Sequence, residues 1–234
     1  MTMPENHLLR VDMHVHTHAS WDCLSDPEKV LAVAVARGLD RIAITDHNRI
    51  WAAREMARRH PERIIPGEEV KTAEGIDVIG LYLKEEIPKG TPAREVCARI
   101  REQGGLVYLP HPYARGKGGS GRYAEELADH SDIVEVFNAR LHDRALNQAA
   151  ADLADRRNLP GGAGSDAHTL WEVGRARVEL PAHPNRPDAF LEALRSARVS
   201  GAASPHAVHL ASTFAKVARR FARPGRPRTG ARVD

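Results

Sequence analysis

Cysteine, aromatic residues and long apolar runs are all scarce in this sequence. Its 234 residues include two cysteines, Cys23 and Cys97, which lie far apart and form no C-x-x-C motif. This spacing indicates no disulfide framework, so a reducing cytoplasm is the expected compartment. No apolar stretch approaches the length of a membrane-spanning helix, and the first residues lack the basic and apolar regions of a signal peptide. We therefore expect no membrane partner.

The glycine-rich motifs that bind nucleotides are missing as well. No G-x-G-x-x-G follows the first apolar segment, and the glycines at 116–119 lack the spacing to a Lys-Ser or Lys-Thr pair that defines a P-loop. The rest of the composition, 42% hydrophobic and 28% charged, is typical of a globular protein. The length fits one large domain, such as a barrel, or two small ones.

The net charge of +3 is unevenly distributed along the chain. Seven basic residues and one acid lie between positions 214 and 234, which leaves residues 1–213 with a net charge of −3. Two interpretations of this basic tail stay open, attachment to nucleic acid or a solvated, frayed terminus. We expect a single domain over residues 1–200 and a basic tail over 201–234, partly disordered from Pro224 onward.

Apolar strand patterns alternate with helical patterns along almost the whole chain. Ser25 and Glu28 form a capping box that predicts the start of the first helix. Repeated strand–helix units in one chain imply a parallel sheet. The predicted strands cover 8–16, 41–44, 63–70, 78–83, 106–110, 133–137, 161–165 and 174–180, with a hairpin turn near Glu74 and Gly75. The predicted helices cover 25–37, 50–60, 91–103, 123–129, 142–157 and 187–198.

Polar residues follow nearly every predicted strand at its carboxyl end. In a closed barrel these ends converge on one mouth, where active sites lie, whereas distant strands of an open sheet could not share a site. The pattern therefore favours a barrel with its functional site at the mouth. The strand-end residues are His14, His16, Asp46, His47, Glu68, Glu69, His111, Asn138, Arg140, Asp166 and His168.

The first strand carries an H-x-H pair, His14 and His16, preceded by Asp12. Side chains alternate faces along a strand, so these three are expected on one face. A set of nitrogen and oxygen ligands without thiolates suits Zn, Mn or Fe. Seven or eight candidates exceed the needs of one tetrahedral ion, which favours two or three divalent ions bridged by a carboxylate. Such clusters stabilise the attacking and leaving oxygens in phosphoester displacement.

Five segments, in order, resemble the PHP (polymerase and histidinol phosphatase) superfamily, over residues 9 to about 180. The resemblance implies a distorted (β/α)7 barrel with a two- or three-metal centre at its mouth, and usually phosphoester hydrolysis. The matching segments are Asp12-Met-His14-Val-His16-Thr17, Thr45-Asp46-His47-Asn48, Pro66-Gly67-Glu68-Glu69-Val70, His111-Pro112 and Gly164-Ser165-Asp166-Ala167-His168.

The same resemblance implies which residues hold each ion. Glu69 stands two residues after Gly67, as the family's bridging carboxylate does, so it is preferred to Glu68. Asp12 and Asp46 are expected to orient the histidines rather than to bind metal. The implied ligands are His14, His16, Glu69 and Asp166 for the first ion; Glu69, His111 and either Glu135 or Asn138 for the second; and His47, His168 and Asp22 for the third.

The hypothesis that follows is hydrolysis of a phosphate ester by a metal-activated hydroxide. A planar guanidinium suits the phosphate oxygens, so Arg140 is expected to bind them, with Arg115 and Lys117 as further candidates. Asp22 or His168 would protonate the leaving group. A small phosphomonoester or a nucleotide is the first substrate class. The alternatives are a nuclease that releases nucleotides from nucleic-acid ends and a non-catalytic metal-binding barrel. The oligomeric state stays open.

Overall fold

The computed structural model describes residues 8–116, 118–205, 208 and 213–217. Lys117 and most of the basic tail lie outside these described residues. Among the described residues, no helix combines the length and the apolar character needed to cross a bilayer. The strands are β1 Leu8–Val15, β2 Arg41–Ile44, β3 Ile64–Lys71, β4 Asp77–Leu81, β5 Leu106–Leu109, β6 Ile133–Asn138, β7 Gly161–Gly164, β8 Ala176–Pro181 and β9 Arg198–Gly201. The α-helices are α1 Pro27–Ala36, α2 Trp51–Arg59, α3 Ala93–Glu102, α4 Ala124–Ala128, α5 Arg144–Arg157 and α6 Pro187–Leu194.

Strands β1 to β7 follow one another around a nearly closed barrel in sequence order. All of them run parallel except β4, which is antiparallel to both β3 and β5. The β3–β4 hairpin predicted from the sequence is confirmed, with Gly75 in the left-handed region at φ 79°. The prediction of a distorted (β/α)7 barrel is also confirmed, and the carboxyl ends of its six parallel strands share one mouth.

Strand β1 closes the barrel by pairing with different segments along its length. Its first half, from Leu8 to Val11, pairs antiparallel with β8. Its second half meets the segment that follows β7: the Asp166 amide donates to the His14 carbonyl at 2.8 Å, and the His16 amide donates to the Ala167 carbonyl at 2.9 Å. The barrel therefore closes at its mouth, beside the histidine pair, while β8 separates β1 from β7 at the other end.

The short strand β7 consists of three glycines and one alanine because little space separates it from its neighbours. A Cβ added to Gly164 would overlap the Cβ of His14 and lie 2.5 Å from Glu135 Oε1. At Gly161, on the same strand, the nearest atoms to an added Cβ all belong to the Val136 side chain, at 2.9 Å and beyond, and none is backbone. Gly164 thus allows β7 to approach β1 closely.

Gly164→Ala is expected to lower the free energy of unfolding by about 2–3 kcal/mol, because the barrel must open locally to accept the methyl group. Urea unfolding measures this loss. Gly161→Ala is the matched control on the same strand, with an expected loss below about 1 kcal/mol. Equal losses for the two variants would contradict the close approach at Gly164.

Apolar residues fill the space inside the barrel and the layer between barrel and helices. Met13, Ile65, Ile79 and Tyr108 belong to the interior cluster and are buried completely. Helices α1, α2 and α3 turn their buried positions toward the outer face of β2 and its neighbours. This packing leaves the mouth as the place where polar side chains are concentrated.

Two local predictions are wrong. Asp26 rather than Ser25 caps α1, since Asp26 Oδ1 accepts from the amides of Glu28 at 3.0 Å and Lys29 at 3.1 Å. The last predicted helix ends early, at Leu194, and residues 198–201 form the edge strand β9 against β8. The expected boundary at residue 200 and the disorder after Pro224 stay predictions, the latter outside the described residues.

Candidate metal centre

His14 and His16 stand at the centre of the mouth, both buried, with their Nε2 atoms 3.0 Å apart. On the far side of each ring, Nδ1 has a partner: Glu135 Oε1 at 3.1 Å from His14 and Ser20 Oγ at 3.0 Å from His16. A carboxylate can only accept, which assigns the His14 proton to Nδ1. The Ser20 hydroxyl donates to Asp46 Oδ1 at 2.7 Å, so it accepts from His16. When both rings are neutral, as metal ligands must be, both Nε2 lone pairs therefore face each other.

Two carboxylates reach the histidine pair from strands far along the chain. Glu69 Oε2 lies 3.5 Å from His14 Nε2 and 3.4 Å from His16 Nε2. Asp166 Oδ1 lies 3.7 Å and 3.3 Å from the same two nitrogens. The other Glu69 oxygen, Oε1, is 3.1 Å from His111 Nε2. Glu69 thus extends from the histidine pair toward His111.

A third set of side chains lies on the outer side of His16. His47 Nδ1 is 2.9 Å from Glu69 Oε2. The Asp22 carboxylate spans two rings, with Oδ2 3.7 Å from His47 Nε2 and Oδ1 3.4 Å from His168 Nε2. The structure therefore brings together the residues that the sequence assigned to a third ion, although their role as ligands stays a prediction.

Within the described chain, three groups of three side chains offer ligand atoms that lie within 4.8 Å of one another. Glu69 Oε2 and Asp22 Oδ1 are buried and accept no well-aligned hydrogen bond from described residues, although imidazole nitrogens lie 2.9 Å and 3.4 Å from them. Buried carboxylate oxygens and imidazole nitrogens at these distances favour a cation among them, either a proton on a ring or a metal ion. The residues therefore fit the divalent ions that the sequence predicted. The groups are His14, His16 and Asp166; His14, Glu69 and His111; and His16, His47 and His168.

In the metal-free mouth, the carboxylates and the histidines shift one another's pKa values. Burial lowers the pKa of His14, but the charges of Glu135, Asp166 and Glu69 outweigh burial and raise it well above its usual value. Burial and the neighbouring His168 and His47 lower the pKa of His16 to about 3, so its ring is neutral. Burial alone would raise the pKa of Glu69, but the imidazoles of His47 and His14 hold it well below its usual range. For His47, the Glu69 charge overcomes burial and raises the pKa to about 9. A protonated His47 would release its proton when metal binds.

Left-handed backbone directs two of these side chains into the mouth. His111 has φ 28° and Asp166 has φ 51°, both in the region that side chains rarely adopt. Each residue follows the last residue of its strand by two positions, where the chain turns away from the barrel. Such conformations persist only when surrounding contacts enforce them, and they concentrate at functional sites.

The candidates for the last ligand of the second ion are not among the converging atoms. Glu135 Oε1 accepts from His14 Nδ1 and from the Tyr108 hydroxyl, and Oε2 accepts from the His111 amide at 2.8 Å. The Asn138 side-chain amide donates to Glu135 and Asp166, and its oxygen accepts from the Arg140 amide. Glu135 therefore orients His14 from behind, with both of its carboxylate oxygens engaged by donors of the described residues.

Asp12 and Asp46 hold the backbone around the histidines. A register irregularity between Asp12 and Val15 interrupts the expected alternation of β1, and Asp12 accepts from the amides of Ser165 and Gly174, at 2.9 and 2.8 Å. Asp46 accepts from the amide and hydroxyl of Ser20. Sequence reasoning missed Ser20, whose only signal is its place in the loop after the H-x-H pair.

The three predicted phosphate-binding residues have different positions. Arg140 lies at the centre, with Nη1 2.8 Å from His168 Nδ1 and Nε 3.2 Å from the buried Glu172 carboxylate. Arg115 lies on the surface, with its side chain 84% exposed and 3.6 Å from Asp143. Lys117 is outside the described residues. Of the two that the structure describes, Arg140 is the one beside the candidate ligands.

Glu68 precedes Glu69 on β3, and its side chain points away from the candidate metal centre. It lies on the opposite face of β3 from Glu69, where Oε2 accepts from the Ile87 amide at 2.9 Å. Burial raises its pKa to about 8 from an ordinary value of 4.5. The folded protein keeps this proton between those pH values while the unfolded chain releases it, so stability is lost as pH rises through that window.

Glu68→Gln is expected to remove this pH dependence while keeping the hydrogen bond to Ile87. Between pH 5 and pH 8, the native chain should lose a few kcal/mol more unfolding free energy than the variant, at up to about 1.4 kcal/mol per pH unit. Urea unfolding of both proteins in chelator, at several pH values, measures the difference. Parallel stability curves would show that Glu68 ionises normally in the folded state.

A family model of the PHP domain matches residues 12–109, and a model of the PHP-associated domain matches residues 144–199. Two uncharacterised proteins of Methanocaldococcus jannaschii are similar in sequence. One is 35% identical over 177 residues, covering 74% of this chain and 70% of the relative. The other is 37% identical over 155 residues, covering 61% of this chain and 89% of the relative. The chain belongs to the PHP family.

Solved structures share the PHP-like fold at low sequence identity. A two-domain protein from Bacteroides vulgatus, containing a predicted PHP-like metal-dependent phosphoesterase, superimposes with a TM-score of 0.65 at 17% identity, over 86% of this chain and 70% of that one. PsfC from Pseudomonas syringae gives 0.62 at 22% identity, over 92% and 99%. A lesion-specific endonuclease from Pyrococcus furiosus gives 0.65 at 15%, over 82% and 57%. These likenesses show that the chain shares the fold of those proteins.

Proposed function

We propose that this PHP protein hydrolyses a small phosphomonoester or a nucleotide with two or three divalent ions held at the barrel mouth. The observation that carries the proposal is the pair of facing Nε2 atoms of His14 and His16, 3.0 Å apart, with the buried Glu69 Oε2 within 3.5 Å of both. Zn, Mn and Fe all suit these ligands.

Different side chains of the mouth have different proposed roles in the reaction. Bound divalent ions would supply a water of lowered pKa and neutralise charge on the phosphate. Glu69 lies between the His14–His16 pair and His111, so it is the proposed bridging ligand. Arg140 is the proposed phosphate ligand, with its guanidinium fixed by Glu172. Asp22 and His168, 3.4 Å apart, are the proposed pair from which a proton reaches the leaving oxygen.

A nuclease is the second candidate, and two observations favour it. The fold is shared with a lesion-specific endonuclease, and seven basic residues lie between positions 214 and 234. Against it, residues 1–213 carry a net charge of −3, and a long polyanion is repelled by an acidic surface. The small ester therefore remains the first substrate class.

A substrate panel tests the proposal. The purified chain is stripped with chelator, supplied with Mn, Zn or Fe(II) in turn, and assayed against small phosphomonoesters, nucleotides and a labelled oligonucleotide. We expect metal-dependent release of inorganic phosphate from a small ester, with more than one equivalent of metal bound by elemental analysis. Release of mononucleotides from the oligomer alone would select the nuclease. Metal uptake without turnover would indicate a binding protein.

A further inference from the structure

The C-terminal part of the chain returns to the barrel mouth after β9. The Ser204 amide donates to the Ala139 carbonyl at 2.7 Å, immediately beyond the mouth end of β6. Residues 213–217 are helical, with Ala215 buried and Phe214 exposed. Phe214 and Ala215 form one side of a cavity of about 330 Å³, whose other side includes His168 and Leu24. These residues thus stand beside the third set of candidate ligands.

Lys216 extends from this segment to the edge of the candidate metal centre. Its Nζ lies 3.9 Å from Asp22 Oδ2 and 4.7 Å from the centre of the Trp21 ring. The Trp21 ring in turn lies 6.3 Å from that of His47. The ammonium group therefore sits on the outer side of the Asp22 carboxylate, whose inner side faces the imidazoles.

The contacts of Lys216 can be exchanged for others at little cost. Its side chain is 44% exposed, and an ion pair of this length and exposure contributes about 1 kcal/mol or less. Two other basic groups near the mouth have closer carboxylates: Asp77 is 2.5 Å from Lys71, and Glu172 is 3.2 Å from Arg140. A phosphate group entering beside Asp22 would carry more negative charge than the single carboxylate. The flexible lysine, a compact charge with three donors, can turn toward it.

We propose that Lys216 binds the phosphate group of the substrate, so that residues 213–217 form one wall of the substrate site. The proposal rests on the proposed function and adds a binding residue from outside the barrel. The Trp21 face supports the ammonium group over the mouth through a cation–π contact. The cavity beside His168 leaves room for the organic part of the ester, since its volume is that of a small ligand pocket.

Inorganic phosphate is the probe for the test, titrated into full-length, metal-loaded protein. Trp51 and Trp171 are replaced by Phe in the parent, so that the emission of Trp21 reports what happens next to Lys216. We expect saturable phosphate binding with a change in Trp21 emission. Lys216→Ala and Lys216→Gln should weaken phosphate binding by about tenfold and abolish the emission change, while Lys216→Arg stays within about threefold. Metal content should not change in any of them.

Lys84→Ala is the control, because Lys84 is exposed and follows β4 at the end of the barrel opposite the mouth. It should bind phosphate like the parent. Unchanged phosphate affinity in Lys216→Ala would overturn the proposal, and so would loss of metal in parallel with loss of phosphate, which would show an indirect effect through Asp22. If the parent binds metal and hydrolyses esters, and Lys216→Ala has the same phosphate affinity as the parent, only the role of Lys216 is rejected. A parent without metal or turnover rejects the proposed function.

Discussion

Glu69→Gln is expected to lower ester hydrolysis by about 10³-fold or more and to remove most of the bound metal. The physical reason is the number of groups that depend on one carboxylate. Glu69 lies within 3.5 Å of ring nitrogens of His14, His16, His47 and His111. Gln keeps the shape of the side chain but supplies no negative charge, so the divalent ions lose the anion that lies among them. Elemental analysis and phosphate release measure the two effects.

Glu68→Gln is the matched control for that experiment. It makes the same chemical change one residue earlier on β3, on the face that contacts Ile87 rather than the imidazoles. Metal content and turnover should stay at the native level in this variant. If both substitutions removed metal equally, the effect would come from the strand rather than from the cluster. If Glu69→Gln retained metal and turnover, Glu69 would not be a bridging ligand.

The sequence predicted the barrel and its mouth well because both depend on repeating patterns. Strand-end polar residues recur at β1, β2, β3, β5, β6 and β7, and parallel strands necessarily bring those ends together. Glu69 was preferred to Glu68 because the carboxylate of the family that the chain resembles stands two residues after the glycine, and the structure places Glu69 among the imidazoles. The position of these residues at strand ends was therefore enough to predict that His14, His16, Glu69 and Asp166 lie together at the mouth.

Features that depend on irregular backbone or on long-range contacts were not predictable. Asp12 does not lie on the face of β1 that was predicted for it, because the pairing of β1 with β2 shifts register between Asp12 and Val15. Glu135 was one of two candidates for the last ligand of the second ion, yet its carboxylate contacts the far side of the His14 ring. Strand β9 has one apolar residue, Val199, and it forms because it can pair with the free edge of β8. No periodicity in the sequence marks these features.

His16→Ala separates metal binding from folding. In native protein, metal at 100 times its Kd should stabilise the fold by about 2.7 kcal/mol, which for a chain of this size raises Tm by about 5–11 °C. The variant loses one of the two facing Nε2 atoms that the first ion needs. It should therefore show almost no metal-induced rise in Tm and no turnover.

Metal-free His16→Ala should still unfold cooperatively, because His16 lies at the mouth and outside the hydrophobic core clusters. Removing the ring leaves a cavity and takes one donor from the Ser20 hydroxyl, which destabilises the fold. The hydroxyl keeps its bonds to Asp46 and to the His47 amide. His130→Ala is the control, since His130 lies before β6 at the end opposite the mouth and should keep the full metal-induced rise. Calorimetry with and without metal measures all three proteins. A variant at position 16 that retains both the rise in Tm and the turnover would show that the H-x-H strand does not hold the ions.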